Sequence, residues 1–125
     1  MKKSVNAYGA VSPNFMRSEF ECKCGCGFNE IDPELVYVVQ DVRTHFGLPV
    51  NITSACRCKK HNKKVGGSAK SQHVLGTAAD IVVRGVSASD VQDYIDNKFP
   101  DTYGIGFYSS FTHVDVRKDK ARWIG

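Results

Sequence analysis

Two short stretches carry side chains whose types and spacing suit a metal ion. In "SQHVLGTAAD", residues 71–80, His73 and Asp80 stand seven positions apart where a loop enters an apolar run, Ile81-Val82-Val83. In "THVDVR", residues 112–117, His113 and Asp115 lie two positions apart in a stretch that alternates as a strand does. Each residue alone has an ordinary role: a lone histidine is commonly a hydrogen-bonded core or surface group, and Asp80 can pair with Arg84 or Arg57. Together, His73, Asp80 and His113 supply two imidazole nitrogens and one carboxylate oxygen. That is the three-ligand set, with a fourth position for water, of a catalytic zinc site. Non-haem iron uses the same set, but such sites commonly start from a close His-x-Asp pair, take the distant histidine later, and sit in an all-β barrel. Here only ten residues follow Asp115 and none is histidine, which disfavours iron. His45 and His61 are weaker ligand candidates, one near a helix end and one in a basic loop.

The elements that must hold these residues are readable in outline. "IDPELVYVVQDVRTHFG", residues 31–47, predicts a helix with Asp32 as N-cap, Pro33 in the first turn, apolar residues at 35, 38, 39, 42 and 46, and Gly47 as its stop. "SASDVQDYIDNKF" predicts a second, with Ser87 and Asp90 spaced as a capping box and Pro100 ending it. Val50–Thr53, Ala79–Val83, Gly104–Tyr108 and Phe111–Arg117 read as strands, the last two joined by a tight Ser109-Ser110 hairpin. Period-two alternation puts His113, Asp115 and Arg117 on one strand face, and Ala78, Asp80 and Val82 on one face of another. Small Ala78 and Ala79 leave space around the Asp80 carboxylate. The stretch from Ser54 to Thr77 has no clear periodicity and reads as one long functional loop.

The chain has 125 residues, enough for one domain with a core, and a mild net charge of +4. The densest basic run, residues 57–64, reads as a solvated loop, and charge alone does not select a polyanionic partner. No apolar stretch reaches the roughly 18 residues of a membrane span, and the basic start lacks the apolar core of a signal peptide. The expectation is therefore synthesis in the cytoplasm without that export route. Five cysteines form two clusters, Cys22, Cys24 and Cys26 and then Cys56 and Cys58. Their one-residue spacings match zinc ribbons poorly, so reduced or partly buried thiols are expected, with a bridge between the clusters left open.

These residues resemble the zinc D-Ala-D-Ala carboxypeptidase and peptidoglycan endopeptidase family, which includes phage endolysins and shares its fold with the Hedgehog signalling domain. The family's Ser-x-His, Gly, Ala, Asp signature is matched by Ser71, His73, Gly76, Ala78 and Asp80, and its Phe-x-His-x-Asp element by Phe111, His113 and Asp115. "SPNFMRSEFECKCGCG", "DPELVYVVQDVRTHFG", "ITSACR" and "HNKKVGGSAKSQH" resemble its entry segment, first helix, Ser-x-x-Arg strand end and loop to the first ligand. Two departures stand out. Ala55-Cys56 replaces a frequent Gly-Tyr, and Ser110 stands where many relatives carry an acid three positions before the second ligand histidine.

The resemblance implies an α+β fold, a small antiparallel sheet with flanking helices, as a single monomeric zinc peptidase domain over residues 1–125. It implies one zinc per chain on His73, Asp80 and His113, and hydrolysis of an amide in the peptide stem or cross-link of peptidoglycan. Arg57 is then expected to bind a substrate carboxylate or the oxyanion, with Ser71 and Gln72 supporting the ligands or contacting substrate. With no acid between Asp101 and His113, Asp115 is the expected general base, the alternative being that it orients an imidazole or pairs with Arg117. A lysin that reaches the wall after holin-type release fits this set, with no nucleic-acid partner. The rival from another class is a non-enzymatic module whose basic loop binds nucleic acid or wall polyanion and whose cysteines hold structural zinc. It predicts thiolate-bound metal and binding weakened strongly by salt. A third possibility keeps fold and metal without hydrolysis, as in Hedgehog.

Overall fold

The structure, a computed structural model, describes residues 9–125, so the basic start at Met1-Lys2-Lys3 lies outside the described residues. Ala10–Ser12 (β1) and Phe15–Met16 (β2) pair as a short hairpin, followed by a 3-10 turn at Arg17–Phe20. Helix α1, Pro33–Phe46, starts and stops as its sequence dictates. The Asp32 carboxylate accepts from the Glu34 N–H at 2.8 Å, and Gly47 takes the left-handed conformation at φ 64°. Its apolar stripe, Leu35, Val36, Val38, Val39 and Val42, is buried. Helix α3, Ala88–Lys98, is capped by Ser87, which accepts from the Asp90 N–H at 3.1 Å, and buries Val91 and Ile95.

The main sheet has five strands: Val50–Ser54 (β3), Ala78–Val83 (β4), Gly104–Phe107 (β5), Thr112–Asp115 (β6) and Ala121–Ile124 (β7). Their order is β3-β4-β6-β5-β7, antiparallel except that β7 runs parallel to β5. One face carries Ala79, Ile81, Val83, Ile105 and Val114 into a core shared with α1 and α3. The opposite face carries the chemistry. Asp80 pairs in register with His113, Ala78 with Asp115, and Gly104 and Gly106 lie across from Asp115 and His113 on the other side.

Two expectations need correction. The stretch 54–77 is not one loop: it contains α2, Lys59–Lys64, and a 3-10 turn at Gln72–Leu75. Helix α2 has the sequence KKHNKK, so it offers no apolar stripe, and periodicity is blind to it. Buried Asn62 anchors it instead, donating to the Ser68 carbonyl at 2.7 Å and accepting from Arg57 at 3.0 Å. The β5–β6 connection is a four-residue loop, Tyr108 to Phe111, because those two rings stack at 4.4 Å and Gln92 donates to both their carbonyls. The cysteines stand as thiols, as expected, and four of them, Cys22, Cys24, Cys26 and Cys58, converge in space. Gly25, at φ 83°, turns the chain back between Cys24 and Cys26, a geometry that linear spacing does not reveal. Cys56 is buried in the core.

Candidate metal centre

His73 reaches the site from the 3-10 turn Gln72–Leu75, whose N-cap Ser71 accepts from the His73 N–H at 3.2 Å. The turn ends at Gly76, φ 73°, where an added Cβ would collide with the Glu30 carbonyl. The Gly76 carbonyl also accepts from the Asp32 N–H at 3.0 Å, so this glycine ties the ligand turn to the start of α1. Asp80 and His113 come from adjacent strands in direct register. The Arg57 N–H donates to the His73 carbonyl at 3.0 Å, fixing the strand-end arginine beside the first ligand.

Hydrogen bonds at the back of each ring determine which lone pairs face forward. His73 Nδ1 lies 2.7 Å from the Ala55 carbonyl, which can only accept, so Nδ1 carries the proton and Nε2 is bare. His113 Nε2 lies 2.7 Å from Asp115 Oδ2, so Nε2 carries the proton and Nδ1 is bare. Both bare nitrogens face the same Asp80 oxygen, Oδ1, His73 Nε2 at 3.3 Å and His113 Nδ1 at 3.1 Å. With both rings neutral in these tautomers, three lone pairs converge, an arrangement suited to a shared cation: a metal ion, or without one a proton on a ring nitrogen. A tetrahedron of ligands about 2.0 Å from its centre has edges of roughly 3.3 Å, so these separations fit zinc with nitrogen and oxygen donors. His73 is 3% exposed and His113 7%, so the donors are pre-positioned rather than recruited from solvent.

Without a metal, ring protons bridge the imidazoles to Asp80. Burial pushes the Asp80 carboxyl up, but hydrogen bonds from His113 and then His73 outweigh it and bring the pKa to about 2. Burial pushes the His113 imidazole down, yet bonds to Asp115 and Asp80 raise it above its ordinary value. Burial likewise opposes ionisation of Asp115, and the Arg117 guanidinium and His113 hold its carboxyl well below the usual range. Asp115 is fully buried, and all its acceptor capacity is engaged: Oδ1 takes Arg117 Nε at 2.7 Å and the Arg117 backbone N–H at 3.2 Å, while Oδ2 takes Arg117 Nη2 and His113 Nε2, each at 2.7 Å. It sits behind the imidazole, on the side away from Asp80. That position is at odds with the expectation of Asp115 as general base, because no free lone pair faces the open side of the metal site.

A cleft of about 550 Å³ opens over these ligands, with Arg57, Ser71, Gln72, Tyr108 and Trp123 among its walls. Arg57 Nη1 donates to Asn62, Nη2 lies 4.0 Å from Asp80 Oδ2, and the buried Nε makes no hydrogen bond within the described residues. Gln72 accepts from the Thr77 hydroxyl at 2.8 Å and lines the cleft. His45 stacks on Tyr94 at 3.8 Å, away from the site. Among the described residues the cleft wall holds no carboxylate besides Asp80.

Sequence reasoning missed the Ala55 carbonyl, because a backbone acceptor leaves no residue signature. It also missed Trp123, whose ring lies 5.0 Å from His113 and whose Nε1 donates to the Tyr108 hydroxyl at 3.2 Å. The parallel strand β7 places it there, and its four residues are too few to show an alternation.

A family model described as Peptidase M15 matches residues 13–115 of the chain. No curated protein matches it. The match spans every metal-facing residue, from Arg57 through Asp115, and the three-donor centre has the ligand chemistry that family uses. The chain belongs to the Peptidase M15 family of zinc D-Ala-D-Ala carboxypeptidases and peptidoglycan peptidases.

Proposed function

We propose that this chain is a zinc peptidase that hydrolyses an amide in the peptide stem or cross-link of bacterial peptidoglycan, acting as a phage or prophage lysin. One observation carries the zinc assignment: donor atoms of His73, Asp80 and His113 converge at ligand separations on the wall of an open cleft. A bound zinc supplies Lewis acidity there, lowering the pKa of water from ~16 to about 7 and polarising a carbonyl. The rest falls to the protein. The Ala55 carbonyl and Asp115 hold the two imidazoles in the tautomers that leave their metal-facing nitrogens free. Arg57, always charged and on the cleft wall, binds a substrate carboxylate or the developing oxyanion. The Tyr108 hydroxyl accepts from Trp123, which leaves its own proton for a substrate oxygen.

Peptidoglycan as substrate is supported by family membership, and action at the wall after holin-type release extends the motif resemblance to endolysins. The rival binding module requires thiolate metal and a basic face. Its thiol cluster exists, but none of those cysteines lines the cleft, so the histidine and aspartate centre stands independently of it. Zinc titration into chelator-stripped protein tests the reading. Amide hydrolysis should return with the equivalent bound at the cleft, and His73→Ala, Asp80→Ala and His113→Ala should each abolish that return. Hydrolysis that persists in all three variants would overturn it.

A further inference from the structure

We infer that Cys22, Cys24, Cys26 and Cys58 form a second, structural zinc site of four thiolates, separate from the cleft. The four Sγ atoms lie within 4.8 Å of one another. Cys22 and Cys24 are 3.4 Å apart, and Cys24 and Cys58 are 3.6 Å apart. A disulfide requires about 2.05 Å, whereas a tetrahedron with zinc–sulfur bonds of about 2.3 Å has edges of roughly 3.8 Å. The observed separations lie near the second value. The sulfurs also receive backbone donors, as ligating thiolates do: the Cys58 N–H reaches Cys22 Sγ and the His61 N–H reaches Cys58 Sγ, each at 3.4 Å.

The local architecture makes sense with a metal and is thin without one. Between Cys22 and Phe28 the backbone is held by the Cys22 N–H to the Phe28 carbonyl at 2.8 Å and the Gly25 N–H to the Cys22 carbonyl at 3.3 Å. Cys24 and Cys26 are both exposed. Two glycines, Gly25 and Gly27, adopt positive φ with open space where a Cβ would be, so the turn is shaped for its backbone path rather than for packing. A chain with so little buried apolar surface gains its order from a cross-link, and zinc supplies one.

Charge completes the case. Four thiolates on one divalent ion carry a net charge of about −2, each thiol having given up its proton on binding. In sequence, Lys23 lies between two of the ligands, and Lys59 and Lys60 follow the fourth. The site also has a functional consequence, since Cys58 directly follows Arg57. Zinc there would clamp the entry segment to the strand end that presents the substrate arginine.

The full chain, purified under reducing conditions, should hold two zinc equivalents by elemental analysis. His73→Ala should hold one, and X-ray absorption at the zinc edge of that variant should show sulfur neighbours only, at about 2.3 Å. Cys24→Ser/Cys26→Ser, which alters the two exposed ligands, should also hold one, with nitrogen and oxygen neighbours. The His73→Ala spectrum stands even if the cysteine variant fails to fold, and it keeps this site distinct from the catalytic assignment. Absence of sulfur neighbours in that spectrum, iron in place of zinc, or a Cys24–Cys58 disulfide in the peptide map of the reduced preparation would each overturn the inference.

Discussion

Replacing Asp115 with asparagine separates a positioning carboxylate from a general base. Asp115 accepts four hydrogen bonds, one from His113 and three from Arg117. An amide keeps one acceptor oxygen, and its NH2 must then face either Arg117 or the His113 Nε2–H, a donor against a donor. If the oxygen stays with Arg117, His113 relieves the clash by moving its proton to Nδ1, the nitrogen that faces Asp80. The lone pair needed for zinc is then gone. The expected loss is about 10–100-fold in zinc affinity, roughly 1.4–2.7 kcal/mol. Breaking a buried ion pair costs about 3–5 kcal/mol, but the Arg117 side chain is 33% exposed and partly solvated, which reduces this to roughly 2–3 kcal/mol. For a domain of this size that is a Tm lower by roughly 6–15 °C. Chelator competition reads the affinity, thermal melts of the stripped protein read the stability, and kcat at saturating zinc reads the chemistry. With Asp115 as a positioning residue, kcat at saturating zinc stays within about tenfold of wild type. A loss of roughly 10²–10⁴ in kcat with zinc affinity unchanged would refute the argument and restore Asp115 as the base.

Arg57→Lys should keep fold and zinc but lower kcat/KM by roughly 10–100-fold, because lysine keeps the charge without the planar fork; unchanged steady-state kinetics would reduce Arg57 to a bystander. Gly104→Ala places a Cβ against the Asp115 carboxylate and 2.7 Å from Arg117 Nε, so β5 or the ion pair must shift. A loss of about 1–3 kcal/mol in thermal stability with weaker zinc retention is expected, and a variant matching wild type in both would show that Asp115 does not depend on that space. In the stripped protein, His113 should titrate above the ordinary ~6.5, read from its ring protons by NMR. A raised folded pKa contributes stability that is fully present below the unfolded value and lost as pH rises through the folded one. The destabilisation by Asp115→Asn in stripped protein should therefore be larger near pH 6 than near pH 9, and equal melting shifts at both would contradict the His113–Asp115 coupling.

The parts of this molecule that announce themselves in sequence are those whose local chemistry is self-sufficient. Helix α1 is bracketed by Asp32-Pro33 and Gly47 and carries a continuous apolar stripe, so its limits follow from the chain alone. The alternation in "HVDVR" likewise places His113 and Asp115 on one face, and the register of β4 with β6 sets Asp80 directly beside His113. What sequence does not carry is the direction of a hydrogen bond. Asp115 shares a strand face with His113 whether it points at the metal's open side or at the back of the ring, and only the contacts of Arg117 and the space left by Gly104 decide. Helix α2 and strand β7 were hidden for a related reason. One is held by Asn62 and the other by edge pairing to β5, neither of which leaves an apolar period. The cysteines illustrate the same limit, since a one-residue spacing becomes a tetrahedral grouping only through the turn at Gly25 and the approach of Cys58 from a distant segment.

The central claim is that His73, Asp80 and His113 make a zinc centre that cleaves a peptide bond of the bacterial wall. Mass spectrometry of purified peptidoglycan digested by the zinc-loaded chain tests it most directly. The account predicts fragments that have gained one water across a stem or cross-link amide, absent with Asp80→Ala and absent after chelation. Intact peptidoglycan after incubation with folded, zinc-replete protein would contradict it.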